Sequence, residues 1–347
     1  MKVVPARRWP ARPWSSGRAR IAVGCAAATA LLLAGCSLPG SGSGASEQAP
    51  PGSSITVASV RGVGSAPLYV AQQQGLFQQA GLTVHIRPYP TARAEVDALR
   101  NGQANVAVGD YASFFYAQKT DAKAPMVVLA DGYDAGPSIM EVLVRADSPI
   151  ASPQDLQFKT IGTAEPQVIP YKLATPYSLE TVAASSVLEN DGIQPDQVTW
   201  RPMPMDRLIG ALRSGAVDAI LVTEPEIYQA QSQMGARSVL DACSGQTVNL
   251  PLQGYFAPAS YARQHQDALN AFHGALMRAQ ASANQPAPLN NALTHSMGGM
   301  SRETASLITV GAYPTSLRVS SLQRVADLMS FYGALQRPLD VSRMVFR

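Results

Sequence analysis

Four loops of this sequence place glycines, hydroxyl groups and carboxylates directly after segments that have the pattern of β-strands. These loops are residues 62–66, 109–113, 163–165 and 223–225. In parallel α/β proteins, ligands bind beyond the carboxyl ends of the strands, where helix N-termini present free backbone N–H groups. The residues that we predict to contact a ligand in these loops are Gly64, Ser65, Ala66, Asp110, Thr163 and Glu224.

Tyrosines supply a second set of candidate contacts, because an aromatic ring can stack on a ligand while its hydroxyl group makes a hydrogen bond. The tyrosines that we place at the site are Tyr69, Tyr111, Tyr133 and Tyr255. Any of them could instead be a half-buried scaffold residue. Asp110 also has a structural alternative, since it could cap the helix that follows it. Glu224 could turn away from a ligand and pair with Arg201 or Arg207.

The charge of these loops bears on the kind of ligand. Asp110, Glu165 and Glu224 lie in them, and no lysine or arginine does. A buried oxyanion would meet a repulsion of several kcal/mol if even one of these carboxylates faced it. We therefore expect a neutral or amine-bearing ligand, stacked on tyrosine and bonded to a carboxylate.

Motifs for catalysis and for metal binding are absent from the sequence. It contains no G-x-S-x-G elbow, P-loop or H-E-x-x-H motif, and its four histidines lack the spacing of metal ligands. Gly62 and Gly64 resemble the start of a dinucleotide fingerprint, but Pro67 stands where the third glycine belongs. We therefore predict no catalytic residues, no metal and no cofactor.

The first 35 residues have the pattern of a secretory signal, with cations followed by an apolar stretch. The stretch ends in Leu33-Ala34-Gly35-Cys36, which is similar to the lipobox of bacterial lipoproteins, whose cysteine is acylated after cleavage. We predict a signal peptide over 1–35, a lipid on Cys36 and a flexible tether over 36–53, which together hold the protein at the extracytoplasmic face of the cell membrane. The alternative is that Cys36 is an ordinary thiol in an uncleaved anchor.

Net charge excludes one class of partner. Six of the 27 basic residues and none of the 24 acidic residues lie before Cys36, so the rest of the chain is slightly acidic. A nucleic-acid-binding protein needs a basic patch to neutralise phosphates. We therefore predict no nucleic-acid partner.

The elements that position the four loops follow from an alternation of short apolar strands and amphipathic helices, which begins at Ile55. This alternation is typical of a parallel α/β architecture. One unit recurs, because residues 98–102 (ALRNG) reappear as 211–215 (ALRSG), and each copy runs into an apolar strand. The repeat predicts two similar lobes, with a generic βα unit used twice in one sheet as the alternative.

Several spaced motifs carry a family resemblance. They are residues 66–71 (APLYVA), 75–77 (GLF), 81–84 (GLTV), 147–150 (DSPI) and 215–219 (GAVDA), the last leading to Glu224-Pro225. Together they resemble the ABC-transporter substrate-binding proteins of the nitrate, sulfonate, taurine and thiamine-precursor group. The resemblance covers residues 54 to 345.

What the resemblance implies is a type II periplasmic-binding fold, in which two crossover strands join two α/β lobes and the ligand lies in the cleft between them. The lobes would be residues 54–140 with 253–347, and residues 141–252. The protein would be a monomeric solute-binding lipoprotein that closes on a small molecule and delivers it to an ABC permease and its ATPase. Related folds include enzymes, so the alternative is a pocket enzyme for a pyrimidine-like or small carboxylic substrate. The segment 164–177 is longer than in the family, which leaves its part in the site open.

Overall fold

The computed structural model describes residues 49–50, 52–121, 124–165 and 178–347. The predicted signal peptide, the lipidation site Cys36 and all but the last residues of the tether lie outside this part of the chain. Most of the segment 164–177 lies outside it as well. Within the described ranges, no helix is long and apolar enough to cross a membrane.

Two five-stranded sheets organise the described chain. The strands of the first sheet are β1 (Ser54–Val60), β2 (Thr83–Tyr89), β3 (Val106–Asp110), β4 (Met126–Asp134) and β10 (Pro251–Pro258). The strands of the second sheet are β5 (Met140–Val144), β6 (Thr160–Ala164), β7 (Thr199–Met203), β8 (Ala219–Thr223) and β9 (Arg237–Asp241). The chain thus leaves the first sheet after β4, builds the whole second sheet and returns as β10.

The two sheets have the same topology. Their strand orders are β2-β1-β3-β10-β4 and β7-β6-β8-β5-β9. In each sheet only the fourth strand in this order, β10 or β5, runs antiparallel to its neighbours. The alternation of strands and helices indicates the parallel strands of each sheet, and β10 and β5 are the two exceptions. The physical reason is that each enters directly from the other sheet rather than through a βαβ crossover within its own.

The internal repeat marks equivalent positions in the two sheets. Helix α3 (Ala92–Arg100) leads through Gly102 into β3, and helix α6 (Met205–Ser214) leads through Gly215 into β8. Both glycines have left-handed backbone conformations, with φ of 68° and 73°. Helices often end in this conformation, and glycine adopts it most easily because it has no Cβ atom. Since β3 and β8 are third in their sheets, the repeat reflects two similar lobes rather than one sheet.

The remaining helices connect or cover these strands. They are α1 (Ala66–Gln73), α2 (Leu76–Gln79), α4 (Tyr111–Thr120), α5 (Leu179–Asn190), α7 (Glu226–Met234), α8 (Ala259–Gln264), α9 (Gln266–Ala283), α10 (Pro286–Ser296), α11 (Arg302–Leu307) and α12 (Val319–Phe331). Aromatic stacking fixes two of the elements that carry the site, because the rings of Phe114 on α4 and Phe256 on β10 lie 4.0 Å apart.

The outer edge of β4 is covered by the C-terminal part of the chain. Asp134 pairs with Ala312 in an antiparallel bridge, and Val128 pairs with Val345 in a parallel one. The Phe346 N–H donates to the carbonyl oxygen of Val128 at 2.9 Å. These contacts satisfy backbone groups that an exposed edge strand would leave unpaired.

Candidate ligand-binding cleft

A cavity of about 540 Å³ lies where the strand ends of the two sheets face each other. The first sheet contributes Gly62 and Gly64 after β1 and Asp110 at the end of β3. The second contributes Glu165 after β6 and Glu224 after β8. Because β1 and β3 hold the same places in their sheet as β6 and β8 in theirs, all four predicted loops reach this cavity.

Asp110 both caps a helix and lines the cavity. The Ser113 N–H donates to Asp110 Oδ1 at 2.7 Å, which satisfies one of the free donors in the first turn of α4. Burial raises the pKa of Asp110 to about 6, although the hydrogen bond from Ser113 opposes this shift. Asp110 can therefore cap α4 and still face the cleft.

Glu224 bridges two parts of the chain at the cavity wall. Its Oε2 accepts from the Tyr228 N–H at 3.0 Å, in the first turn of α7, and its Oε1 accepts from the Thr309 N–H at 3.1 Å. Burial raises the pKa of this carboxyl group. The alternative pairing with an arginine is wrong for Arg201, whose guanidinium donates to the Ala216 carbonyl oxygen.

Tyr133 and Gly64 also line the cavity. The Tyr133 hydroxyl oxygen accepts from the Gly311 N–H at 2.8 Å, which fixes the ring at the cavity wall. At Gly64, a Cβ atom would overlap the side-chain amide of Gln253, another lining residue. Glycine at position 64 therefore lets the Gln253 amide reach the cleft.

Two of the predicted tyrosines lie in the core instead of the cavity. Tyr111 is completely buried and its hydroxyl group donates to Asp131 Oδ1 at 2.9 Å. Tyr255 on β10 is also completely buried, and its ring packs edge-on against Phe272. Tyr111 directly follows the cavity residue Asp110, and Tyr255 lies two residues after the cavity residue Gln253, but both rings pack into the core.

Four further candidates lie beside the cavity without lining it. Ser65 is buried, and its hydroxyl group donates to the Gly62 carbonyl oxygen at 2.9 Å. Ala66 is buried as the first residue of α1. Tyr69 lies one turn further along α1, and its ring stacks on His295 of α10. Thr163 is 1% exposed within β6, where the next two residues line the cavity in its place.

Sequence reasoning missed the cavity residues that follow β2 in the first sheet and β7 in the second. The connection from β2 into α3 places Pro90, Thr91, Ala92 and Glu95 at the cavity, and the connection from β7 into α6 places Pro204 and Met205 there. Thr91 could have been predicted to lie at the cavity, because it is a helix cap that closely follows a strand. Its hydroxyl oxygen accepts from the Ala94 N–H at 3.2 Å. Arg61, which immediately precedes the predicted loop 62–66, also lines the cavity.

The cavity wall is strongly acidic. The carboxylates that line it are Glu95, Asp110, Glu165, Glu180, Glu224 and Glu226. Burial raises the pKa of Glu95 well above its ordinary range, and the charge of Asp110 adds to this shift. Burial and the charge of Glu224 likewise raise the pKa of Glu226. The described residues contain no group of three or more histidine, cysteine or acidic side chains that could hold a metal ion.

Comparisons with known sequences place the chain in a family. A family model described as NMT1/THI5 like matches residues 63–287. The chain is also similar to the nitrate import ATP-binding protein NrtC of Synechocystis sp., at 26% identity over 176 residues. That alignment covers 49% of this chain and 26% of NrtC, so the chain spans about a quarter of the relative.

Solved structures show the same fold at low sequence identity. The periplasmic aliphatic sulphonate binding protein SsuA from Escherichia coli superposes with a TM-score of 0.68 and 17% identity, covering 85% of this chain and 97% of SsuA. The desulfurization enzyme DSZB gives a TM-score of 0.62 at 17% identity, covering 84% of this chain and 96% of DSZB. These likenesses confirm the predicted two-lobe α/β fold. Since the matching family model extends over well more than half of its length, the chain belongs to the NMT1/THI5-like family.

Proposed function

We propose that this protein is the extracytoplasmic solute-binding component of an ABC importer, a monomer that captures a small molecule and delivers it to a permease and ATPase. The observation that carries the proposal is the cavity between the ends of equivalent strands of the two sheets. Its volume of about 540 Å³ suits a small organic molecule. The shared fold of the periplasmic aliphatic sulphonate binding protein SsuA supports the same role.

The transport step requires closure of the two lobes around the ligand. We take residues 54–140 with 253–347 as one lobe and 141–252 as the other. Only two connections join the sheets, residues 135–139 and 242–250, and a pair of such links is a suitable hinge. A ligand that contacts both lobes stabilises the closed state by its differential affinity.

Ligand extraction tests this function directly. The protein would be purified from its own cells under native conditions, denatured and analysed by mass spectrometry for a released metabolite. Adding that metabolite back should decrease the radius of gyration in small-angle X-ray scattering and raise the melting temperature, because it binds the folded state. A saturating metabolite that leaves the radius of gyration unchanged would contradict the hinge mechanism.

The lipid anchor has its own test. We propose that Cys36 carries the lipid and that the mature chain begins there, as the preceding Leu33-Ala34-Gly35 indicates. Cys36→Ser should release the protein from the membrane fraction or leave it unprocessed. Normal processing with unchanged membrane retention in this variant would show that another feature anchors the chain.

The likeness to DSZB keeps a pocket enzyme as the second candidate. Among the described residues that line the cavity, none is a histidine or a cysteine, so acid–base or nucleophilic chemistry would fall to its carboxylates and tyrosine. The two functions are separated by incubating the extracted metabolite with a catalytic amount of protein. Recovery of the unchanged metabolite supports binding, and a new mass that grows with time supports catalysis.

A further inference from the structure

The chemical class of the ligand follows from how the acidic groups of the cavity are arranged. They form two sets, and the carboxyl groups within each set repel one another. The charge of Asp110 disfavours ionisation of Glu95, and the charge of Glu180 disfavours ionisation of Asp110. Glu224 acts in the same way on Glu226. A positive charge placed between the members of a set would relieve this repulsion.

One of these carboxylates has an unused oxygen deep in the wall. Glu95 is completely buried and its Oε1 accepts from the Val60 N–H, whereas its Oε2 has no hydrogen-bond partner among the described residues. Gly109, another lining residue, lies against this oxygen, and a Cβ atom at position 109 would come within 2.7 Å of it. The glycine therefore lets the Glu95 carboxylate, which lacks a donor on this oxygen, pack directly against the backbone of β3 at the cavity wall.

At three of the helices that reach the cavity, a side chain already accepts from one of the first-turn N–H groups. Helix N-termini bind anions through their free N–H groups. Here the Ser113 N–H of α4 donates to Asp110, the Tyr228 N–H of α7 donates to Glu224, and the Ala94 N–H of α3 donates to Thr91. An oxyanion at the N-terminus of α4 or α7 would therefore lie beside a capping carboxylate, which repels it.

The cation at the cavity wall is placed at its rim. Arg61 is exposed, and its guanidinium fills the space above Gly298, where a Cβ atom would overlap it. Burial raises the pKa of Tyr69, which lies outside the cavity, and the charge of Arg61 opposes this shift. Arg61 is thus a single cation at the rim of a wall that carries six carboxyl groups.

We propose that the cleft binds an organic cation whose ammonium or amidinium group is held by Glu95 and Asp110, with Glu224 and Glu226 on the opposite lobe. The proposal rests on the proposed solute-binding function and names its substrate class. A bare metal ion fits less well, because the described residues include no metal-binding cluster and the cavity is many times larger than an ion.

Matched probes of opposite charge test this assignment. Benzamidine and benzoate have similar shapes, as do butylamine and propanesulfonate, and each pair differs in the sign of its charge. In thermal unfolding of the full chain at equal millimolar concentrations, the cations should raise the melting temperature and the anions should not. A larger rise with either anion, or no rise with either cation, would overturn the assignment.

Neutralising variants locate the cation. Asp110→Asn keeps the helix cap, because asparagine caps as well as aspartate, and removes only the charge. It should weaken the cation affinity in isothermal titration calorimetry about ten- to hundredfold, the range of a hydrogen bond to a charged group. Glu95→Gln should have a similar effect. Asp97→Asn is the control, since Asp97 is an exposed acid on the same helix as Glu95 and lies outside the cavity.

The outcomes for the variants separate the two proposals. Unchanged cation affinity in Asp110→Asn and Glu95→Gln, or an equal loss in Asp97→Asn, would refute the assigned subsite. If the protein releases an anionic metabolite that compacts it on rebinding, the solute-binding function stands and the cation assignment fails. If a released cationic metabolite compacts the wild type and binds weakly to Asp110→Asn, both proposals are supported.

Discussion

The carboxyl pair of Asp131 and Asp134 on β4 allows a prediction about stability that needs no ligand. Both residues are buried, at 1% and 4% exposure. Asp131 Oδ1 accepts from the hydroxyl group of Tyr111, while Asp131 Oδ2 and Asp134 Oδ1 have no partner in the described part of the chain. A proton held between the two carboxyl groups would satisfy both oxygens. Burial, aided by the charge of Asp134, raises the pKa of Asp131 from 3.8 to about 7.

The raised pKa fixes how stability should depend on pH. The folded state binds this proton more tightly than the unfolded chain does, so the resulting stability is present below pH 4 and is lost as the pH rises towards 7. The loss of stability that this raised pKa causes has a ceiling of about 4 kcal/mol at pH 8, and less than half of that applies at pH 5. The ion pair between Arg318 and Asp134, at 3.2 Å, offsets part of the cost of a negative charge at this pair of carboxyl groups.

The variant Asp131→Asn removes this penalty. Its Oδ1 can still accept from Tyr111, and its amide group can donate to Asp134 where the shared proton lay. We expect its free energy of unfolding to exceed that of the wild type by about 1 to 3 kcal/mol more at pH 8 than at pH 5. Urea unfolding followed by circular dichroism at both pH values measures this difference.

The exposed variant Asp97→Asn is the control for the loss of one negative charge, and it should change stability equally at both pH values. If Asp131→Asn is less stable than the wild type at pH 8, or if its advantage is the same at pH 5, then Asp131 is ionised in the folded protein throughout this range and the reasoning is refuted.

Three further predictions concern single side chains at and near the cleft. Tyr255→Phe should stabilise the fold by about 1 kcal/mol and leave ligand affinity unchanged, because the buried hydroxyl group has no partner in the described structure; a loss of affinity in calorimetry would place Tyr255 at the site after all. Gly64→Ala should lower ligand affinity about tenfold with little change in melting temperature, since the new methyl group displaces the flexible Gln253 side chain; equal affinities would show that Gln253 does not contact the ligand. Gly311→Ala should lower the free energy of unfolding by about 1 to 3 kcal/mol, because its Cβ atom would overlap the Asp134 carbonyl oxygen and approach the Tyr133 ring; a wild-type urea midpoint would show that the bridge next to Asp134 can shift freely.

Local patterns were enough to predict much of the fold. Thr91 before a helix and glycines at 102 and 215 after helices have direct physical meanings, and the structure bears out each of them. The repeat that contains those glycines indicated two lobes because it combined helix, stop and strand. The direction of β10 could not be predicted in this way, since strand direction depends on which sheet the chain has just left.

The candidate site was predictable by loop but not by side chain. Asp110 and Glu224 follow strands and begin helices, so topology alone brings them to the cleft. Tyr255 lies in a strand that is buried on both faces, where no polar alternation shows which side chains point to the cavity. Glu95 is the opposite case, because a charged residue in an amphipathic helix predicts a solvated position, and only tertiary packing places it at 0% exposure.

The position of β10 has a consequence for the order in which the protein folds. This strand occupies an inner place in the first sheet, between β3 and β4, yet it is synthesised only after all strands of the second sheet. A nascent chain that has emerged as far as residue 245 can therefore complete the second sheet from contiguous segments, while β3 and β4 still await the strand that joins them. The partners of the outer edge of β4, at Ala312 and Val345, arrive later still. The first lobe is thus the slow, high-contact-order half of the molecule, and it is the half that a chaperone would need to protect.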